Sequence, residues 1–240
     1  MARSGIFLSA EWRKLALANY EVDKEILLKY LPPFTELDDW HGKYYVSLVG
    51  FMFIDTKLRG FGIPFHTNFE EVNLRFYVKY KENGTWKRGV VFIKEIVPKP
   101  AITFVANTIY KENYQTLPMK HKWVLGEKEL LVEYLWKAGK WNKLSVITAP
   151  NSEAMQVGSK EEFITEHFWG YTKIGLNLTS EYQVEHPRWE VYPVMEYDID
   201  VDFGANYGKD FEFLSQATPV SVMLAEGSPI KVLKGRKITS

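Results

Sequence analysis

The chain has 240 residues, 46% hydrophobic and 15% aromatic, with 30 basic side chains against 30 acidic ones. That is enough apolar matter for a sizeable core, and a net charge of zero lacks the clustered Lys and Arg with which nucleic-acid binders neutralise phosphates. The absence of cysteine excludes disulfides, thiolate zinc sites, iron–sulfur clusters and cysteine nucleophiles, which suits a reducing cytoplasm.

The apolar run before Glu11-Trp12-Arg13 is too short for a signal-peptide core, and no stretch approaches the roughly 20 apolar residues of a membrane-spanning helix. A soluble cytoplasmic protein with no membrane partner is therefore expected, and the sequons at Asn83 and Asn177 read as chance matches. In chain order, a helix is expected from Asp23, where Ile26, Leu27, Tyr30 and Leu31 share a face and Pro32-Pro33 ends it. Aromatic and β-branched runs predict strands over residues 44–54, 72–80, 90–97, 102–110, 130–136 and 144–148. Hairpin turns fall at Glu82-Asn83-Gly84 and Ala138-Gly139-Lys140. After a loop over residues 149–158, Ser159 and Glu162 form a capping box that opens a second helix, and a third, shorter one covers residues 209–214. The basic residues from Lys231 to Lys237 read as a solvated tail. The sum is one mainly β (α+β) domain over residues 1–240.

The most informative segment runs from Asn68 to Tyr80. Its alternation puts Val72, Leu74, Phe76 and Val78 on a core face and Glu71, Asn73, Arg75 and Tyr77 on the other. The second face either meets water or provides the donors and acceptors of a polar pocket; Asn is depleted in strands, which favours the pocket. Glu71 and Arg75 lie about 13 Å apart along an extended strand, so each needs a partner elsewhere. The preceding loop, Thr56 to His66, carries the glycines, proline and aromatics of a segment able to fold over a cavity mouth.

Other constellations carry less. His41, His66, His121, His167 and His186 show no metal-ligand spacing, and Asp198, Asp200 and Asp202 recur about 6.6 Å apart on one strand face, which suits a solvated row better than a cation site. No Gly-x-Ser-x-Gly elbow is present. No metal and no cofactor is implied.

The pattern Phe69-x-Glu71-Val72-Asn73-x-Arg75-x-Tyr77-Val78, followed by Gly89-Val90-Val91-Phe92, resembles the bacterial YqjF-like family of uncharacterised proteins. Phe163-x-x-Glu166, Tyr171 and Glu185-His186-Pro187-Arg188-Trp189 extend the resemblance over most of the chain. The family is similar in fold to acetoacetate decarboxylase, which implies a cone-shaped antiparallel β-barrel around a cavity, with a few outer helices. Acetoacetate decarboxylases carry Tyr-Pro-Lys-Lys, whose lysine forms a Schiff base with the keto acid. Here Tyr110-Lys111-Glu112-Asn113 stands at that place, so the lysine pair does not carry over. Tyr114 and Leu117-Pro118-Met119 resemble the aromatic and proline found there in the uncharacterised relatives.

Three functions are open on these grounds. One is a small-molecule pocket enzyme of lyase or hydrolase type acting on a small carboxylate or carbonyl compound without a Schiff-base lysine. In it Glu71 serves as acid or base, Arg75 anchors the ligand, and Asn73, Tyr77 and Tyr114 orient it. The second is a non-catalytic binding or sensing module using the same cavity. The third is a filled barrel that functions through a surface, where 8 Trp and 14 Tyr are compatible with a homo-oligomer.

Overall fold

The computed structural model describes residues 5–239, the side chains of residues 109 and 110 excepted. The N-terminal four residues and the Tyr110 side chain, both used above, lie outside that set. The architecture grows from the first strand, Ile6–Val22, whose 17 residues pair antiparallel with Tyr44–Leu58 on one edge and Ser221–Leu233 on the other. The sheet continues through Phe69–Glu82 and Thr85–Val97 to Trp169–Gly175 and Leu178–Glu185. It closes where Val184 and Glu185 pair with Val232 and Lys231 of Ser221–Leu233. Closure removes the exposed edges an open sheet would leave. Two pairings depart from the antiparallel expectation: Trp169 and Gly170 pair in parallel with Gly89 and Val90, and Tyr114–Thr116 pairs in parallel with Glu95 to Val97.

A second sheet, in the order Val194–Asp200, Lys140–Thr148, Leu130–Ala138 and Met119–Leu125, covers the barrel from outside. Val72, Leu74, Phe76 and Val78 pack there with Val132, Tyr134, Trp136 and Leu144 in one apolar cluster. A separate cluster fills much of the barrel interior around Leu17, Val49, Phe51, Phe69 and Tyr77. Both faces of Phe69–Glu82 are therefore buried, and the Glu71, Asn73, Arg75 face turns into the barrel rather than to water. The close approach of the two sheets needs Gly50, because a Cβ there would lie 2.8 Å from the Tyr134 ring.

Local signals fare unevenly. Asn83 and Gly84 have the positive φ of a tight hairpin turn, joining Phe69–Glu82 to Thr85–Val97. Asp23 caps a helix over Lys24–Leu28, and Ser159 accepts from the Glu162 amide at the start of Lys160–Thr165. Residues 209–215 form a 3-10 helix, preceded by a short α-helix, Phe203–Tyr207, capped by Asp202. The strand expected over residues 102–110 is instead an α-helix, Pro100–Val105, running into a π-helical turn, Ala106–Tyr110. Proline suits the first helical turn, and Ala101, Ile102, Val105 and Ala106 share the face that meets the barrel cavity, a helical spacing that outweighs their β-branched propensity. The basic C-terminus is not a solvated tail: Arg236–Thr239 pairs with Leu178–Glu181, and Arg236 Nε donates to buried Glu181 at 2.7 Å. Asp198 and Asp200 pair with Lys143 and Lys140 on the outer face of the second sheet.

Gly50→Ala should cost about 1–3 kcal/mol, the range for overpacking a filled core, measured as a drop in the urea midpoint without a change in slope. Unchanged stability would mean that Tyr134 does not fill the space beside Gly50.

Candidate functional site

A β-bulge builds the site. Leu74 pairs with Lys94 but Arg75 pairs with Phe92, so Ile93 is an extra residue in the strand Thr85–Val97. Before the bulge Val90 and Phe92 border the cavity; after it the inward positions are Glu95 and Val97, and Lys94 points to the other face. Glu95 then stands opposite Asn73 on one side and beside Tyr114 on the other, since Tyr114–Thr116 adds a short parallel strand.

Three carboxyl groups meet in this interior. Glu71 accepts from Asn73 Nδ2 at 2.9 Å through one oxygen and from the Tyr114 hydroxyl at 3.1 Å through the other. Glu112 follows Lys111, whose φ of 59° is a left-handed cap that ends the π-helical turn and turns the chain inward. Its carboxylate accepts from Thr172 Oγ1 at 2.6 Å and from Tyr182. Gly170 is what lets Tyr182 approach, since a Cβ there would fall 2.2 Å from the ring. Glu95 lies beside the Tyr114 hydroxyl, whose proton goes to Glu71, and its own Oε2 has no hydrogen-bond partner among the described residues.

Burial dominates their electrostatics. Taking these carboxyls out of water pushes Glu71 and Glu112 from 4.5 up to about 7, against the opposing hydrogen bonds from Asn73 and Tyr114, and from Thr172. Glu95 is raised further by burial and by the charges of Glu112 and Glu71. The nearby positive charge is Arg75, which favours the ionised form of Glu71 but makes no ion pair among the described residues; its Nη2 donates to the Ile164 carbonyl at 3.3 Å.

These groups border a cavity of about 220 Å³ inside the barrel, walled elsewhere by Trp12, Phe51, Phe53, Phe92, Trp169 and Trp189. Thr56, Leu58, Ile63 and His66 close one side of it, the place expected for their loop. No lysine is among its described lining residues. Lys111 is exposed.

Of the residues singled out in the sequence, Glu71, Asn73, Arg75 and Tyr114 come together around the cavity. Tyr77 shares their strand face but lies beyond them, under Phe163 and His167, with its hydroxyl 2.5 Å from Ser47 Oγ. Glu95, Glu112, Thr172 and Tyr182 were not visible as site residues, and neither was the role of His167. Its Nε2–H donates to Asp38 at 3.2 Å, and Asp38 also takes a 2.6 Å hydrogen bond from Arg88 Nε. Burial drives His167 down to about 4, so at neutral pH it is an uncharged imidazole.

The raised carboxyls set a pH dependence. Folded Glu112 holds its proton up to about 7 while the unfolded chain releases it near 4.5, so the folded state binds more protons in between and stability falls as pH rises through that window. The move from 4.5 to about 7 is worth about 3 kcal/mol, so Glu112→Gln should raise Tm at about pH 8 by roughly 6–12 °C, on roughly 2–4 °C per kcal/mol, and leave it nearly unchanged at about pH 4. A lower Tm at both pH values would mean that the Glu112 carboxylate is held ionised by the fold.

The chain matches DUF2071, a family of uncharacterized conserved proteins, over residues 9–229. It is 30% identical over 118 residues to the uncharacterized protein YqjF of Bacillus subtilis (strain 168), a stretch covering 48% of this chain and 47% of that protein, about half the length of each. Among solved structures it is similar to acetoacetate decarboxylase from Legionella pneumophila, with a TM-score of 0.66 and 13% identity over 98% of this chain and 88% of the other. It is also similar to the enduracididine biosynthesis enzyme MppR, solved with pyruvate, with a TM-score of 0.65 and 13% identity over 97% of this chain and 90% of the other. At such identities the likeness carries the fold, an acetoacetate decarboxylase-like barrel with few helices. The match over 221 of 240 residues makes this chain a member of the DUF2071 family.

Proposed function

We propose that the barrel cavity binds a small carboxylate or carbonyl compound and moves protons on it through the buried glutamates, as a lyase- or hydrolase-type enzyme without a Schiff base. The observation that carries this reading is the cluster of Glu71, Glu95 and Glu112 around a cavity bordered by Arg75. A carboxyl near neutrality can both give and take a proton at working pH, which is what general acid–base catalysis asks of it. Arg75, buried and without a carboxylate partner, is placed to hold the ligand's anionic or carbonyl oxygen. Glu71 sits two residues away on the same strand face as the acid or base, with Asn73 and Tyr114 fixing its orientation. Imine chemistry has no support in the lining, which lacks a lysine among the described residues.

The aromatic walls support a second reading, a non-catalytic binding or sensing module with the same ligand class. Exchange in heavy water separates the two. With a panel of small keto acids and aldehydes, an enzyme of this type accelerates exchange of hydrogens next to the carbonyl, and Glu71→Gln slows that exchange roughly 100-fold or more. Saturable binding without exchange would favour the module. Arg75→Ala should abolish binding while the fold survives, and borohydride reduction should leave the intact mass of the protein unchanged. A stable adduct, or full binding by the Arg75→Ala variant, would contradict the proposed chemistry.

A further inference from the structure

Six polar atoms on residues bordering the cavity lack a hydrogen-bond partner: Trp12 Nε1 and Thr56 Oγ1 on half-buried residues, and on buried ones Asn73 Oδ1, Glu95 Oε2, Arg75 Nε and His167 Nδ1. The last four residues are only 1%, 2%, 9% and 8% exposed. A buried polar atom left without a hydrogen bond is destabilising, and folded proteins tolerate few of them. Those four around one cavity therefore outline the group that would complete them.

Their partners fix what each one wants. Asn73 spends its Nδ2 on Glu71, so the free atom is the carbonyl oxygen, an acceptor. Asp38 takes the Nε2–H of His167, so the free Nδ1 is a lone pair, also an acceptor. Arg75 Nε–H is a donor. Glu95 faces Asn73 directly across the ladder, an arrangement that sets side chains about 5 Å apart, so its free oxygen and that of Asn73 flank the same space. The neighbouring groups point the same way: three carboxyls that burial keeps protonated, and that a bound cation would help to ionise, face one guanidinium.

A ligand with only carboxylate or carbonyl oxygens would satisfy Arg75 and leave Asn73 and His167 without donors. A simple amine would do the reverse. We infer that the ligand is zwitterionic and amino-acid-like, its carboxylate held by Arg75 and its ammonium group held between Asn73 and Glu95, a conclusion that rests on the anion-binding role of Arg75 proposed above. The aromatic wall of Trp12, Phe51, Phe53 and Phe92 adds an apolar side to this site. Its volume of about 220 Å³ lies below the roughly 300–1,000 Å³ of drug-sized pockets, which suits one apolar side chain.

Calorimetric titration of the whole protein tests this with L-leucine and L-phenylalanine, their des-amino acids isocaproate and hydrocinnamate, and the amines isoamylamine and phenethylamine. The amino acids should bind at least about tenfold more tightly than the analogues lacking either charged group. Glu95→Gln, which keeps shape but cannot give up a proton to pair with an ammonium group, should erase the preference over the des-amino acids while melting no lower than wild type. Des-amino acids binding as well as amino acids would overturn the inference and leave the carboxylate reading of Arg75 standing. Amines binding as well as amino acids would overturn it together with that reading, and so would an absence of binding by all three classes.

Discussion

Three carboxyl groups taken out of water inside a closed barrel are the constraint that the rest of this interior answers to. A buried carboxylate is costly unless it is hydrogen-bonded, neutralised or paired, and here the first two remedies do most of the work. Asn73 and Tyr114 hold Glu71, and Thr172 and Tyr182 hold Glu112. Three backbone devices assemble the cluster: the Ile93 bulge sets Glu95 between Asn73 and Tyr114, Gly170 admits Tyr182, and the left-handed Lys111 brings Glu112 in. Such devices weaken local pairing or strain the chain.

The chain shares its fold with acetoacetate decarboxylase, and no lysine is among the described residues that line its cavity. At the end of the π-helical turn, lysine faces out and glutamate faces in. In the strand Thr85–Val97 the bulge makes the same exchange, turning Lys94 from the interior and Glu95 toward it. At both positions the acidic residue is turned toward the cavity and the basic one away from it.

Much of the barrel was legible where alternation runs unbroken. From Val72 to Val78 the period-two pattern separates the outer core from the pocket face correctly, because no bulge interrupts that strand. Parity fails as a guide across a bulge: counting on from Val90 and Phe92 puts Lys94 inside, and only the three-dimensional pairing reveals Glu95. The first strand was harder still, since Leu15-Ala16-Leu17-Ala18 has no polar face to alternate with and lies buried on both sides after a register shift at Arg13 to Ala16. For the helix at Pro100, the proline and the spacing of Ala101, Ile102, Val105 and Ala106 were available as signals and were outweighed by the β-branched composition of the run. Glu112, Thr172 and Tyr182 come together only through the parallel seam between the two halves of the chain, and no local pattern encodes that seam.

The most direct measurement is a pH titration of the glutamate side-chain carboxyl carbons by NMR, with Glu71, Glu95 and Glu112 assigned by single Gln substitutions. Three resonances that move near or above neutrality, well clear of exposed glutamates titrating near 4.5, would establish a protonated carboxyl cluster inside the barrel. If all three titrate with the exposed glutamates, the interior is hydrated and polar, and the acid–base role loses its basis.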